Sequence, residues 1–267
     1  MSFVLIDRPR PGVALITLNR PDRMNAMAFD VMIPFREMLE EISYDNDVRV
    51  VVITGAGHGF CSGADLEDPG NLPHIDGLTL TSIARRALEL LDDVILTLRR
   101  MHQPVIGAVN GAAIGGGLCL SLATDIRIAS QSAYFRAAGI NNGLTASELG
   151  LSYLLPRAIG ASRAFDIMLS GRDVDAMEAE RIGLVSRTVP QDDLLDTCYE
   201  LADRIMGFSR VGIECTKRLL WSSLDAGSLS SHMDHEGHAQ LYVRLTTQNF
   251  EEAIRARREK RAPEYKD

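Results

Sequence analysis

The stretch PVIGAVNGAAIGGGLCLSLATD (104–125) constrains the fold most. A short β-prone run, PVIGAV, passes through the glycine triplet Gly115–Gly117 into an apolar segment of helical spacing. Three adjacent glycines cost backbone entropy, so the chain needs bare backbone or unusual dihedrals there. A helix starting near Gly116 leaves its first amides without carbonyl partners, at the positive end of its dipole. Such amides can hold a developing oxyanion, or the glycines can simply let helix and strand pack closely.

The same alternation runs along most of the chain. VALITL (13–18), VRVVVIT (48–54), PVIGAV (104–109) and DIRIAS (125–130) are β-prone, and the windows 28–43, 79–101 and 116–123 carry helical spacing. Strands alternating with helices predict an α/β fold with buried strands. DAMEAERIG predicts a short helix capped by Asp175 and ended at Gly183, with LVSRTV as a further strand. Beyond residue 191 no strand pattern remains, and the charged, helical tail breaks near DAGSLSS. The expected division is a core over 1–191 and a C-terminal helical subdomain over 192–267.

Charge and cysteine usage narrow the function. A net charge of −8 disfavours nucleic acid and anionic membrane as partners, while leaving room for a locally held anionic small molecule. Cys61, Cys119, Cys198 and Cys215 are widely spaced with no CxxC pair, predicting reduced thiols and no zinc site. The N-terminal stretch has no long apolar region with a cleavage site, so a cytoplasmic protein is expected.

A second glycine-rich loop, GAGHGFCSGADL (55–66), follows a strand but lacks the lysine–serine ending of a phosphate-binding loop and the GxGxxG spacing. FCSGADL, followed some fifty residues later by PVIGAVNGAAIGGGLCLSLATDIRIA, resembles the enoyl-CoA hydratase/isomerase (crotonase) family. LNRPDRMNAM, SYLLPRAIGASRAFDIMLSGRDVDAMEAERIGLV and EAIRARREKRAP extend the likeness over nearly the whole chain. The resemblance implies a crotonase-like spiral of ββα units with a C-terminal helical subdomain, assembled as trimers or dimers of trimers. It further implies an acyl-CoA thioester substrate, with coenzyme A as part of that substrate and no permanently bound cofactor. The oxyanion hole falls on the amides of Ala64 and Gly116, and the CoA groove on Met24, Ala26, Ser62, Ala64, Asp65 and Leu66.

The two glutamates that relatives use for hydration align with Cys119 and Gly139, neither of which can act as a carboxylate. Cys119 reads as a small buried apolar residue. Glu148, in TASELG, stands where dienoyl-CoA isomerases of the family carry an aspartate; the competing reading is a solvated glutamate in a first helical turn. His58 reads as a loop residue, His232, His235 and His238 as a solvated or subunit-facing helix surface, and the basic run Arg255–Arg261 as a solvated tail. Three functions follow: an enoyl-CoA hydratase by family name, a double-bond isomerase using Glu148 alone, or a non-catalytic acyl-CoA binder that lost both acids.

Overall fold

The structure, a computed structural model, describes residues 2–266. Met1 and Asp267, at the outer ends of the two expected spans, lie outside the described residues. The chain begins with the strands β1 (Val4–Arg10) and β2 (Val13–Leu18), then α1 (Phe29–Ser43). Three ββα turns follow: β3 (Val50–Gly55), β4 (Gly59–Cys61) and α2 (Leu80–Arg100); β5 (Val105–Val109), β6 (Ala112–Ile114) and α3 (Gly116–Ala123); β7 (Ile126–Ser130), β8 (Tyr134–Arg136) and α4 (Leu151–Ile159). The remaining elements are α5 (Ala161–Ser170), β9 (Asp173–Asp175), α6 (Ala176–Ile182), β10 (Arg187–Val189), α7 (Leu194–Met206), α8 (Arg210–Ser223), α9 (Leu229–Thr246) and α10 (Asn249–Glu259).

In each turn the first strand enters one sheet and the second enters another. The larger sheet has the order β1-β2-β3-β5-β7-β10, the smaller β4-β6-β8-β9. Among the described residues β1/β2 and β8/β9 pair antiparallel and the other strand pairings are parallel. The strands expected from the sequence pattern are present, LVSRTV over its last three residues only, and β3 is buried along its whole length, as a parallel strand covered on both faces should be. Its side chains alternate: Val51 and Ile53 join the main core, while Val50 and Val52 pack with Leu194, Cys198, Tyr199 and Ala202 of α7. Thus α7, which follows the expected division at residue 191, covers the outer face of the larger sheet.

Capping follows the expected chemistry. The Asp175 carboxylate accepts from the Glu178 amide at 2.7 Å, and Gly183 ends α6 at φ 82°. Further on, α8 is anchored by Lys217, whose buried ammonium pairs with Asp125 at 2.9 Å and donates to the Leu98 and Gln103 carbonyls. Trp221 donates to the other Asp125 oxygen at 2.6 Å. By contrast, α9 exposes Leu229, Met233, Leu241, Tyr242 and Leu245. No helix among the described residues is long and apolar enough to cross a membrane.

Candidate active site

The site grows from the ends of β4 and β6, which are hydrogen-bonded neighbours in the smaller sheet. Cys61 pairs with Ala113, and three residues beyond each of them stand Ala64 and Gly116. The two loops touch: a Cβ built on Gly63, at φ 84°, would lie 3.2 Å from the Gly116 nitrogen. Gly116 is the first residue of α3, so its amide has no intrahelical acceptor. Among the described residues neither the Ala64 nor the Gly116 amide has a hydrogen-bond partner.

The segment Met24–Met27 runs alongside and fixes the first loop. Met27 donates to Gly63 at 2.7 Å, Ser62 to Met24 at 3.0 Å and Asp65 to Met27 at 3.1 Å, all through backbone amides. The Met27 thioether also fills the space beside Gly116, and a Cβ on Gly116 would overlap its sulfur. Asn25 and Asn110, which sequence reasoning did not single out, staple the glycine loop from beneath. Asn25 donates to Ala56 and Gly59 carbonyls, while Asn110 accepts from Gly55 and donates to Gly57 and Gly59. Both lie near motifs already visible in the sequence, but their targets are carbonyls that only the folded loop brings within reach.

The expected CoA-groove residues differ in exposure, and Ala64 is exposed. Met24 and Leu66 are exposed, Ser62 is half-buried and Ala26 is buried. The Asp65 carboxylate turns inward, only 2 % exposed, pairing with Arg20 at 3.0 Å and Arg23 at 2.6 Å. It also accepts from the Glu67 and Asp68 amides. The Arg23 guanidinium holds this carboxyl well below the usual carboxylate range. Beside it, a cleft of about 670 Å³ is lined by Phe3, Asn19, Arg20 and Arg23, among others. Cavities of about 530 and 340 Å³ lie elsewhere, against the C-terminal helices.

Glu148 sits in the loop before α4 rather than in a first helical turn; the helix begins only at Leu151. It is half-buried, and its Oε1 would lie 3.2 Å from a Cβ built on Gly115. Burial raises its pKa above the usual carboxylate value. Leu149 and Gly150, at φ 46° and 81°, turn the chain sharply after it. The left-handed region disfavours a branched side chain such as leucine, so this corner is held by its surroundings.

Cys119 is fully buried, and burial pushes its thiol well above the usual cysteine range, which removes it as a nucleophile at neutral pH. A Cβ on Gly139 would overlap the Thr145 carbonyl oxygen, so the loop there closes over bare backbone. His58 is exposed in its loop, and His232, His235 and His238 lie on α9. Among the described residues no cluster of three or more His, Cys, Asp or Glu could hold a metal ion. Arg255 and Arg261, in the basic run, pair with Glu252.

The sequence profile described as enoyl-CoA hydratase/isomerase matches residues 8–267. The chain belongs to the enoyl-CoA hydratase/isomerase family. Members of this family act on CoA thioesters, and the present chain is one of its enzymes, of the lyase or isomerase class. A Mycobacterium bovis relative named "Probable enoyl-CoA hydratase echA12" is 70% identical over 267 residues, covering 100% of this chain and 94% of the relative. The crystal structure of a "probable enoyl-CoA hydratase/isomerase" from Mycobacterium abscessus superposes with a TM-score of 0.96 at 72% identity, covering 100% of this chain and 99% of that one. A protein from M. smegmatis described as "a monofunctional enoyl CoA isomerase" superposes with a TM-score of 0.75 at 66% identity, covering 87% of this chain and 99% of that one. The spiral of ββα units expected of the enoyl-CoA hydratase/isomerase family is the architecture observed.

Proposed function

We propose that this enzyme moves the double bond of an enoyl-CoA, with Glu148 as the base. One observation carries the reading: the half-buried Glu148 carboxylate lies beside Gly115, next to the free Gly116 amide, while Cys119 and Gly139 occupy the hydratase positions. Hydration needs water activated at C3 and a proton delivered to C2, work that relatives share between two glutamates. Isomerisation needs only one carboxylate. Glu148 takes a proton from C2 of a 3-enoyl thioester, and the charge passes to the thioester oxygen. The Ala64 and Gly116 amides hold that oxygen, with no side chain between donor and charge. The protonated Glu148 then returns the proton at C4, leaving the 2-enoyl thioester and the original carboxylate.

The remaining assignments belong to the same proposal. CoA lies along Met24, Ala26, Ser62, Ala64 and Leu66, with the Asp65 backbone at the groove and its carboxylate bracing the arginines. The apolar residues exposed on α9 support a homotrimer or a dimer of trimers, and the helices of 192–267 form the associating unit. The protein is placed in the cytoplasm.

The experiment is a product-resolved assay over 3-enoyl-, 2-enoyl- and dienoyl-CoA. Conversion of 3-enoyl- to 2-enoyl-CoA that disappears in Glu148→Gln supports the proposal. Formation of 3-hydroxyacyl-CoA as the main product instead restores the hydratase reading that the names of close relatives favour. Tight binding of CoA thioesters without any turnover identifies a binder.

A further inference from the structure

We propose that Cys119 is a positioning residue: its thiol clamps the corner Glu148–Gly150 to α3 and thereby aims the Glu148 carboxylate at the start of that helix. The inference rests on the reading of Glu148 as the base and names the residue that holds it there. Cys119 Sγ donates to the Glu148 carbonyl oxygen at 3.5 Å. That same oxygen accepts the Leu151 amide at 2.7 Å, at the opening of α4. One carbonyl therefore joins α3 to α4 across the corner that carries the carboxylate.

The rest of the corner meets the same face of α3. Residues 115, 116 and 119 lie on one side of the helix by their three- and four-residue spacing. Gly115 leaves room for the Glu148 carboxylate, and Leu149 Cδ1 would lie 3.3 Å from a Cβ on Gly116. Leu149 itself is held at φ 46°, a conformation leucine does not adopt without outside support. The clamp supplies that support at the residue immediately before it. A thiol is a weak donor, but here it is fully buried and meets no competing water.

This gives position 119 a definite meaning. A glutamate there would bring a second carboxylate against the Glu148 backbone and lose the clamp. Burial first, and the nearby charge of Glu148 second, push the Cys119 thiol up. Burial alone sets the direction of the Glu148 shift. A corner that loosens and lets the carboxylate reach water should therefore lower it.

The test compares Cys119→Ala and Cys119→Val, which lack the donor, with Cys119→Ser, which keeps one, and with Glu148→Gln. Two readouts are taken: turnover of 3-hexenoyl-CoA and the titration of the Glu148 carboxyl by carbon-13 NMR. The expected result is a kcat loss of about 10-fold in the Ala and Val variants with KM nearly unchanged, since misplacing a catalytic group costs rate rather than binding. The Glu148 titration should shift downward in Ala and Val, and serine should recover part of both losses. If Ala and Val leave the titration and kcat at wild-type values, or if serine falls as far as they do, the clamp is refuted. Valine keeps the volume filled should alanine fail to fold. Undiminished turnover in Glu148→Gln overturns the base assignment instead, and the NMR titration then still decides whether Cys119 holds the corner.

Discussion

The Oε1 atom of Glu148 lies 3.2 Å from the point where a side chain on Gly115 would begin. These residues come from different turns of the spiral, and no local pattern links them. Their approach places a desolvated carboxylate at the N-terminal end of a helix whose first amide is unclaimed. The dipole there favours the carboxylate, while burial opposes its charge. The balance leaves a carboxylate that holds a proton more tightly than an exposed glutamate, as the proposed base must in order to return it.

Glu148→Gln should lower kcat for double-bond migration by about 10²- to 10⁴-fold, the usual contribution of a positioned acid or base. Affinity for a saturated acyl-CoA should stay close to wild type, because the amides and the groove remain. Steady-state kinetics paired with calorimetric binding checks both halves.

The rate should fall on the acid side of a pH profile, since the base must be ionised. Because burial raises the Glu148 pKa, that limb should stand above the ordinary carboxylate range. Stability moves the other way. A group with a raised folded-state pKa is most favourable when protonated, and it destabilises the fold as pH rises through that value. Glu148→Gln, which carries no charge, should therefore melt no lower than wild type at neutral pH. The acid limb of the kcat/KM profile and melting curves across pH test the two statements separately.

Restoring the two hydratase carboxylates should not restore hydration. In Cys119→Glu/Gly139→Glu the second side chain would overlap the Thr145 carbonyl, backbone that cannot step aside cheaply. The expected outcome is a large loss of thermal stability with no 3-hydroxyacyl-CoA formed from a 2-enoyl-CoA. Gly139→Ala alone should reproduce most of the stability loss, which a melting experiment reads directly.

Asp65→Asn should lower the melting temperature by several degrees at neutral pH, because it unpairs Arg20 and Arg23 around a buried position. The wild-type carboxyl titrates below its unfolded value, so its stabilisation is present above the ordinary carboxylate range. It is lost as pH falls through the folded-state value. The two melting curves should accordingly converge in acid and diverge as pH rises.

Elements with a long apolar period were legible in the sequence. α3 spans Gly116–Ala123, as the pattern after the glycine triplet predicts, and β2 spans Val13–Leu18. β4, β6, β8 and β9 were not legible, because a strand of three residues is too short to display a period of two. β1 carries Asp7, Arg8 and Arg10 along an exposed edge, and that polarity hides it. At the site, the resemblance alone pointed to Ala64 and Gly116 as the proposed backbone donors, and the fold brings their two loops into contact. What the motifs could not tell was the direction of a side chain. Asp65 stands in the SGADL motif, yet its carboxylate turns to Arg20 and Arg23, partners some forty residues away in sequence.

The pairing of Cys61 with Ala113 ties the two loops of the proposed oxyanion site to one backbone ruler. Adjacent strands lie about 4.8 Å apart whatever side chains they carry. Ala64 and Gly116 each stand three residues beyond that pair, so both loops leave the sheet from adjacent strands. Acids at other positions can be gained, lost or moved without recalibrating that ruler. A proposed anion-holding pair built on backbone can thus outlast a complete exchange of the groups that move protons beside it.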